Sequence, residues 1–193
     1  MRKIVLSYLL VLCNLVAVAQ TPVRVACIGN SITYGAGIEN RERDAYPVQL
    51  QRMLGEGYVV GNFGKSGATL LNKGHRPYIE QKEFQRALTF AGDVVVIHLG
   101  INDTDPRDWP NYRDYFVRDY LALIDSFRVV NPKVRILVAR MTPITNRHSR
   151  FESGTRDWHE QIQHAIERVA ELAGAQLIDF HTPLYPYPFM LPD

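Results

Sequence analysis

The sequence predicts an α/β fold in which helices cover both faces of one parallel sheet. Short apolar segments alternate with segments of helical periodicity through five cycles, a pattern typical of parallel strands joined by helical crossovers. Residues 93–99 form a near-continuous apolar run, which is typical of a strand buried on both faces. The length of 193 residues suits a single domain.

The first half of the chain contains two predicted helices between three predicted strands. The apolar run 23–28 ends at Gly29, which allows the backbone to turn sharply. Gly55 ends the first helix, and the second helix carries Phe84 and Leu88 on one side. The predicted elements are strand 23–28, loop 32–44, helix 46–54, strand 58–62, loop 63–73, helix 79–90 and strand 93–99.

The second half repeats the alternation and ends without a helix. Asp108 and Pro110 read as a cap and a first-turn proline before a helix that runs to Val130. An amphipathic pattern over 158–172 ends at Gly174. We therefore expect loop 100–111, strand 134–139, loop 142–154, strand 175–180 and a closing loop 181–193, with the last covering helix missing.

The N-terminus reads as a secretory signal peptide over residues 1–19. Arg2 and Lys3 precede a mostly apolar stretch, and residues 17–19 form a small-residue cleavage site. The alternative is an N-terminal membrane anchor, but the apolar run is short for a membrane span. We expect a secreted or periplasmic protein that has no membrane contact after cleavage.

Charge and cysteine content exclude several function classes. The chain has 22 basic and 20 acidic residues, so removing Arg2 and Lys3 leaves the two balanced. No excess of positive charge then indicates binding to nucleic acid. After cleavage Cys27 is alone on a predicted buried strand, so no intrachain disulfide is expected. Cysteine and histidine spacings fit no metal site, and no cofactor is expected.

Ser31 is the first candidate for chemistry. It follows Gly29 at the end of the first predicted strand, where parallel sheets place their ligands. A hydroxyl held on such a turn is a candidate nucleophile. The alternative is that Ser31 only caps a helix N-terminus.

Two further strand-end loops carry groups that suit acyl transfer. Gly67 can offer a backbone N–H with no side chain in the way, and Asn102 offers an amide NH₂. Either residue alone could serve only a turn or a loop. Because the ends of parallel strands share one edge, the sequence predicts that both groups lie near Ser31.

The segments GNSIT, SGAT and GIND, in this order and spacing, resemble the SGNH (GDSL-type) hydrolase superfamily. VRVACIGNSITYG, GNFGKSGATLLNKGHRPY, VVIHLGINDTDPR and SGTRDWHEQIQ are similar to the esterase module of bacterial sialate O-acetylesterase-like proteins. The resemblance covers residues 23–193. It implies a flavodoxin-like three-layer α/β/α sandwich with five parallel strands. It also implies that Ser31 is the nucleophile and that Gly67 and Asn102 complete the oxyanion hole.

The chain departs from the family pattern at two places. Asn30 stands where many members have aspartate, a change that leaves the triad intact because its acid comes from elsewhere. The family's Asp-x-x-His motif would begin at Asp193, which would place the histidine base three residues beyond that aspartate. We therefore expect a domain over 20–193 that ends before its base, with nearly all activity lost in this chain and an active parent. Proteins of this kind often continue into a second domain.

The other histidines are weaker candidates for a general base. His181 follows the fifth strand but precedes the position where the family keeps its base. His98 reads as a hydrogen-bonded core residue, and His159 and His164 as solvated residues on the polar side of a helix. His75 could line the pocket.

The resemblance implies a serine esterase that removes O-acetyl groups from carbohydrate, most directly from sialic acid. The partner is then an O-acetylated sugar. The alternatives are a lipase or lysophospholipase of the same superfamily and an inactive carbohydrate-binding fragment; a dinucleotide-binding domain lacks the required glycine pattern. Candidate substrate contacts in the active-edge loops are Tyr34, His75, Arg76, Tyr78, Arg107 and Trp109.

Overall fold

The computed structural model describes residues 21–144 and 155–186. Its five strands form one parallel sheet in the order β2-β1-β3-β4-β5, as the sequence predicts. The predicted signal peptide and Asp193 lie outside the described residues. The strands are β1 Val23–Gly29, β2 Tyr58–Gly64, β3 Val94–His98, β4 Arg135–Arg140 and β5 Gln176–Asp179.

The strand order creates a crevice between β1 and β3. The chain leaves β1 toward β2 on one side and then returns to β3 on the other, so the connections diverge at this point. Gly29 at the end of β1 lies opposite Gly64 of β2 and His98 of β3, so the three strands end level with one another. Sheets of this order bind ligands at such a switch point.

The described helices are more numerous than the sequence predicts. The helices are α1 Ser31–Tyr34, α2 Arg41–Asp44, α3 Tyr46–Leu54, α4 Lys82–Phe90, α5 Trp109–Tyr112, α6 Phe116–Val130 and α7 Thr155–Ala173. Three 3₁₀ turns cover Tyr78–Glu80, Ile101–Thr104 and Arg113–Tyr115.

Two local signals explain where the predicted boundaries were wrong. The expected loop 32–44 contains α1 and α2 because the side chains of Asn30 and Asn40 accept hydrogen bonds from the first-turn N–H groups of Ile32 and Arg43. The expected helix 79–90 is broken at an extended Gln81, which separates a 3₁₀ turn from α4.

The sheet is the middle of three layers. On one face, α4, α6 and α7 bury the larger apolar core. On the other face, Tyr46, Leu50 and Leu54 of α3 pack beside buried Val25, Cys27 and Val96. Cys27 is a core residue as expected, and burial raises the pKa of its thiol to about 12. Among the described helices, none is long and apolar enough to cross a membrane.

Candidate active site

Ser31 is the first residue of α1, directly beyond the end of β1. Asn30 is the N-cap, and its Oδ1 accepts the backbone N–H of Ile32 at 3.0 Å. The capping role considered for Ser31 therefore belongs to its neighbour Asn30. Within the described part of the chain, no hydrogen bond engages the Ser31 hydroxyl, which leaves it available for chemistry.

Glycines at the ends of β1 and β2 let α1 lie tightly against the sheet. A Cβ on Gly29 would lie 2.7 Å from the Thr33 Cβ and 2.9 Å from the His98 carbonyl oxygen. A Cβ on Gly64 would lie 2.7 Å from the Tyr34 Cα. No side chain fits at either position, so these glycines fix where the turn that carries Ser31 sits.

Gly67 lies in the loop after β2 in a conformation that favours glycine. Its φ is +77°, and a Cβ there would lie 2.9 Å from a guanidinium nitrogen of Arg76. The same nitrogen donates to the Ser66 carbonyl at 3.0 Å. Arg76, a predicted substrate contact, is thus placed directly over the predicted oxyanion donor.

Asn102 joins the loop after β3 to the loop after β2. Its Nδ2 donates to the Ala68 carbonyl at 2.9 Å, one residue from Gly67. An amide nitrogen carries two hydrogens, so one N–H fixes the side chain and the other remains for a ligand. Both loops start beside Gly29, because the Lys65 N–H donates to the Gly29 carbonyl at 2.9 Å and β3 pairs with β1.

Asp103 holds these two loops together and was not assigned a role from the sequence. It is fully buried, and its carboxylate accepts the backbone N–H groups of Leu70 and Leu71 at 2.9 and 2.8 Å. Burial raises the pKa of Asp103 to about 7, although the two backbone hydrogen bonds oppose the shift. Because Asn102 directly precedes Asp103, these contacts hold Asn102 to the Gly67 loop in addition to its own side-chain hydrogen bond.

Two more buried aspartates hold the same loop further along. Asp119 accepts the Asn72 N–H at 2.9 Å, and Asp108 accepts the His75 N–H at 2.9 Å. Asp108 stands at the N-cap position of α5, yet its side chain makes no capping hydrogen bond. The interpretation of Asp108 as a cap is wrong: its carboxylate accepts a hydrogen bond from the loop after β2 instead.

The structure corrects two predicted substrate contacts. Tyr78 is fully buried, and its hydroxyl donates to the Phe63 carbonyl at 2.7 Å. Trp109 is 4% exposed, and its indole N–H donates to Gln161 at 2.8 Å. Both rings belong to the core, so neither has surface left for a sugar.

The other predicted contacts remain accessible. Tyr34 is 36% exposed, with the Arg41 guanidinium 4.1 Å above its ring. The Arg107 side chain is 66% exposed and forms a two-pronged ion pair with Asp105. The assignment of these residues to substrate stays a prediction.

Two histidines are buried around the loop after β4. His98 is fully buried and accepts the Thr142 N–H through Nε2 at 3.3 Å, which confirms it as a hydrogen-bonded core residue. His159 is only 6% exposed and hydrogen-bonds the Thr142 carbonyl at 2.9 Å, so its interpretation as a solvated residue is wrong. Burial lowers the pKa of both to about 4, and both rings are neutral at pH 7.

Two further histidines lie on α7 and directly after β5. The His164 side chain is 72% exposed, as expected. His181 follows β5, and its ring lies against His159 and Tyr185. The prediction for Asp193 lies outside the described residues and stays a prediction.

Comparisons with known proteins show the family to which this chain belongs. The sequence model of the GDSL-like lipase/acylhydrolase family matches residues 27–193. An acetylxylan esterase from Xylanibacter ruminicola is 37% identical over 181 residues, covering 84% of this chain; the chain spans 37% of that relative's length.

Solved structures of esterases share the fold at lower identity. AlinE4, an SGNH-hydrolase family esterase, is 18% identical, with 89% of this chain and 84% of that chain covered and a TM-score of 0.61. The acetyl xylan esterase AlAXEase is 20% identical, with 87% and 82% covered and a TM-score of 0.53. The chain therefore belongs to the GDSL-like lipase/acylhydrolase family, a group of carboxylic ester hydrolases that includes the SGNH esterases.

Proposed function

We propose that this chain forms the esterase part of an enzyme that removes acetyl groups from carbohydrate. The observation that carries the proposal is the contact between Asn102 and Ala68. It brings the loops of two predicted oxyanion donors together beside Ser31, at the switch point of the sheet. A free hydroxyl beside paired N–H donors is the arrangement that acyl transfer needs.

The proposed reaction has two halves. The Ser31 Oγ attacks the acetyl carbonyl carbon and passes its proton to a histidine base, which the family resemblance couples to Asp193. The N–H groups of Ser31 and Gly67 and the free N–H of Asn102 stabilise the tetrahedral oxyanion. The sugar oxygen leaves with the proton, and water then attacks the acetyl-serine to release acetate and restore the Ser31 hydroxyl.

Acetylated xylan is the substrate class best supported by the relatives. A protein 37% identical to this chain is named an acetylxylan esterase, and a structure with the same fold carries the same description. O-acetylated sialic acid is the second candidate. The exposed Arg76 beside Gly67 favours it, because a guanidinium there would pair with the sugar's carboxylate. Either glycan would be met outside the cytoplasm, in keeping with the predicted signal peptide.

Acetate release from three substrates tests the proposal. The intact protein, with any residues that follow Asp193, would be assayed with acetylated xylo-oligosaccharides, O-acetyl sialic acid and 4-nitrophenyl acetate. Ser31→Ala should abolish release, and Ser126→Ala, which removes an exposed hydroxyl on α6, should leave it unchanged. Hydrolysis that persists in the Ser31→Ala variant would refute the assignment of Ser31 as the nucleophile. Hydrolysis of 4-nitrophenyl acetate without either sugar ester would refute the carbohydrate substrate.

A further inference from the structure

His75 and Asp108 form a pair that the reaction described above does not use. The His75 Nδ1 lies 2.6 Å from the Asp108 Oδ2, and the His75 backbone N–H donates to the other carboxylate oxygen at 2.9 Å. The Asp108 side chain is 1% exposed and that of His75 is 23% exposed. A buried carboxylate thus fixes one edge of a partly exposed imidazole.

The pair lies where the two donor loops meet. His75 precedes Arg76, whose side chain covers Gly67 and whose carbonyl accepts the Thr69 N–H at 2.9 Å. Asp108 closes the loop that begins after β3 and carries Asn102. The imidazole is therefore supported from both loops that bring the oxyanion donors together.

The carboxylate decides what the other edge of the ring can bind. Because a carboxylate accepts hydrogen bonds only, the proton of the neutral imidazole is on Nδ1. Nε2 then carries a lone pair, and no hydrogen bond from the described residues engages it. It can accept a hydrogen bond from a hydroxyl, but it can make none with an ester, which has no donor.

We propose that Nε2 of His75 accepts a hydrogen bond from a free hydroxyl of the sugar that carries the acetyl group, with Asp108 as its positioning residue. This inference rests on the carbohydrate esterase function proposed above. It deepens that function by predicting a preference for partly acetylated sugars over fully acetylated ones.

A purely structural role explains the pair less completely. Asp103 and Asp119 hold the same loop by accepting backbone N–H groups. Asp108 does so as well, but it alone also orients an imidazole of that loop. A residue that only held the loop would need the backbone contact alone, so the contact with the ring indicates a separate function.

Equilibrium binding to the Ser31→Ala protein tests the proposal without turnover. Isothermal titration would compare xylo-oligosaccharides bearing one acetyl group per sugar with fully acetylated ones. We expect the Ser31→Ala protein with His75 unchanged to bind the partly acetylated sugar more tightly. His75→Ala should weaken that binding by about 3- to 10-fold, the value of one hydrogen bond, and leave the fully acetylated sugar unaffected. His164→Ala, an exposed histidine of α7, is the matched control and should change neither.

Asp108→Asn adds a spectroscopic readout. Nitrogen NMR of the His75 ring should show the proton on Nδ1 when Asp108 is present and a shift toward Nε2 in this variant. The difference in affinity between the partly and the fully acetylated sugar should decrease in the same variant. The proposal is overturned if His75→Ala leaves the affinity for the partly acetylated sugar unchanged, or lowers both affinities equally. If the parent binds no acetylated sugar, the carbohydrate substrate itself is refuted, together with this inference.

Discussion

Replacing Gly67 with alanine probes the oxyanion site through a single methyl group. The residue has a φ of +77°, a left-handed conformation that costs an L-residue about 1–2 kcal/mol. The new Cβ would also lie 2.9 Å from a guanidinium nitrogen of Arg76. That nitrogen is at the end of a flexible side chain and can move aside, so the backbone strain is the part that persists.

Relief of this strain would rotate the Gly67 peptide and turn its N–H away from the oxyanion. Loss of one oxyanion donor typically costs about 10²–10³ in kcat. We expect Gly67→Ala to lower kcat by at least about 10-fold, toward that range, with a much smaller change in KM because the donor acts on the transition state.

Steady-state kinetics of full-length protein on 4-nitrophenyl acetate would measure this effect, with thermal unfolding as a check on folding. Arg76→Ala, alone and combined with Gly67→Ala, separates the side-chain clash from the backbone strain. The double variant should remain slow. A Gly67→Ala enzyme with the unsubstituted enzyme's kcat would contradict the role of the Gly67 N–H, and so would full rescue by Arg76→Ala.

Three other predictions follow from described contacts. Asn102→Ala should lower kcat by about 10²–10³ with little change in KM, whereas equal loss in kcat and binding affinity for substrate would contradict its role on the oxyanion. Gly64→Ala should lower the midpoint of urea unfolding because its Cβ meets the backbone of α1; Gly57→Ala, with open space around it, should have a far smaller effect, and similar shifts would contradict the packing. His159→Gln should destabilise the protein more at pH 7 than at pH 4.5. The folded-state pKa of about 4 lies below the ordinary value near 6.5, so the stability from neutral His159 is present above pH 6.5 and lost as pH falls toward 4. A destabilisation by His159→Gln that is the same at both pH values in urea unfolding would contradict this.

The sheet could be predicted from the sequence because its signals are local. The run over 93–99 contains β3, and the bounds predicted for α3 match the structure. Apolar runs and stop glycines depend on neighbouring residues alone. Short helices depend instead on single caps, which is why α1 and α2 were predicted as loop.

The errors at the site have a tertiary origin. Tyr78 and Trp109 stand in polar segments that resemble surface loops, yet both rings pack into the larger apolar core. His159 lies on the polar side of its helix, but the backbone at Thr142 covers it. Asp103 accepts two N–H groups from residues more than 30 positions earlier, and no local pattern records such a partner.

A crystal structure of the intact protein with a phosphonate bound covalently to Ser31 would show which groups bind the oxyanion. The phosphonyl oxygen stands in for the oxyanion of the acetyl intermediate. We predict that this oxygen lies about 2.7–3.1 Å from the backbone nitrogens of Ser31 and Gly67 and from the Asn102 Nδ2. An oxygen that points to solvent, or that is bound by other donors, would contradict it.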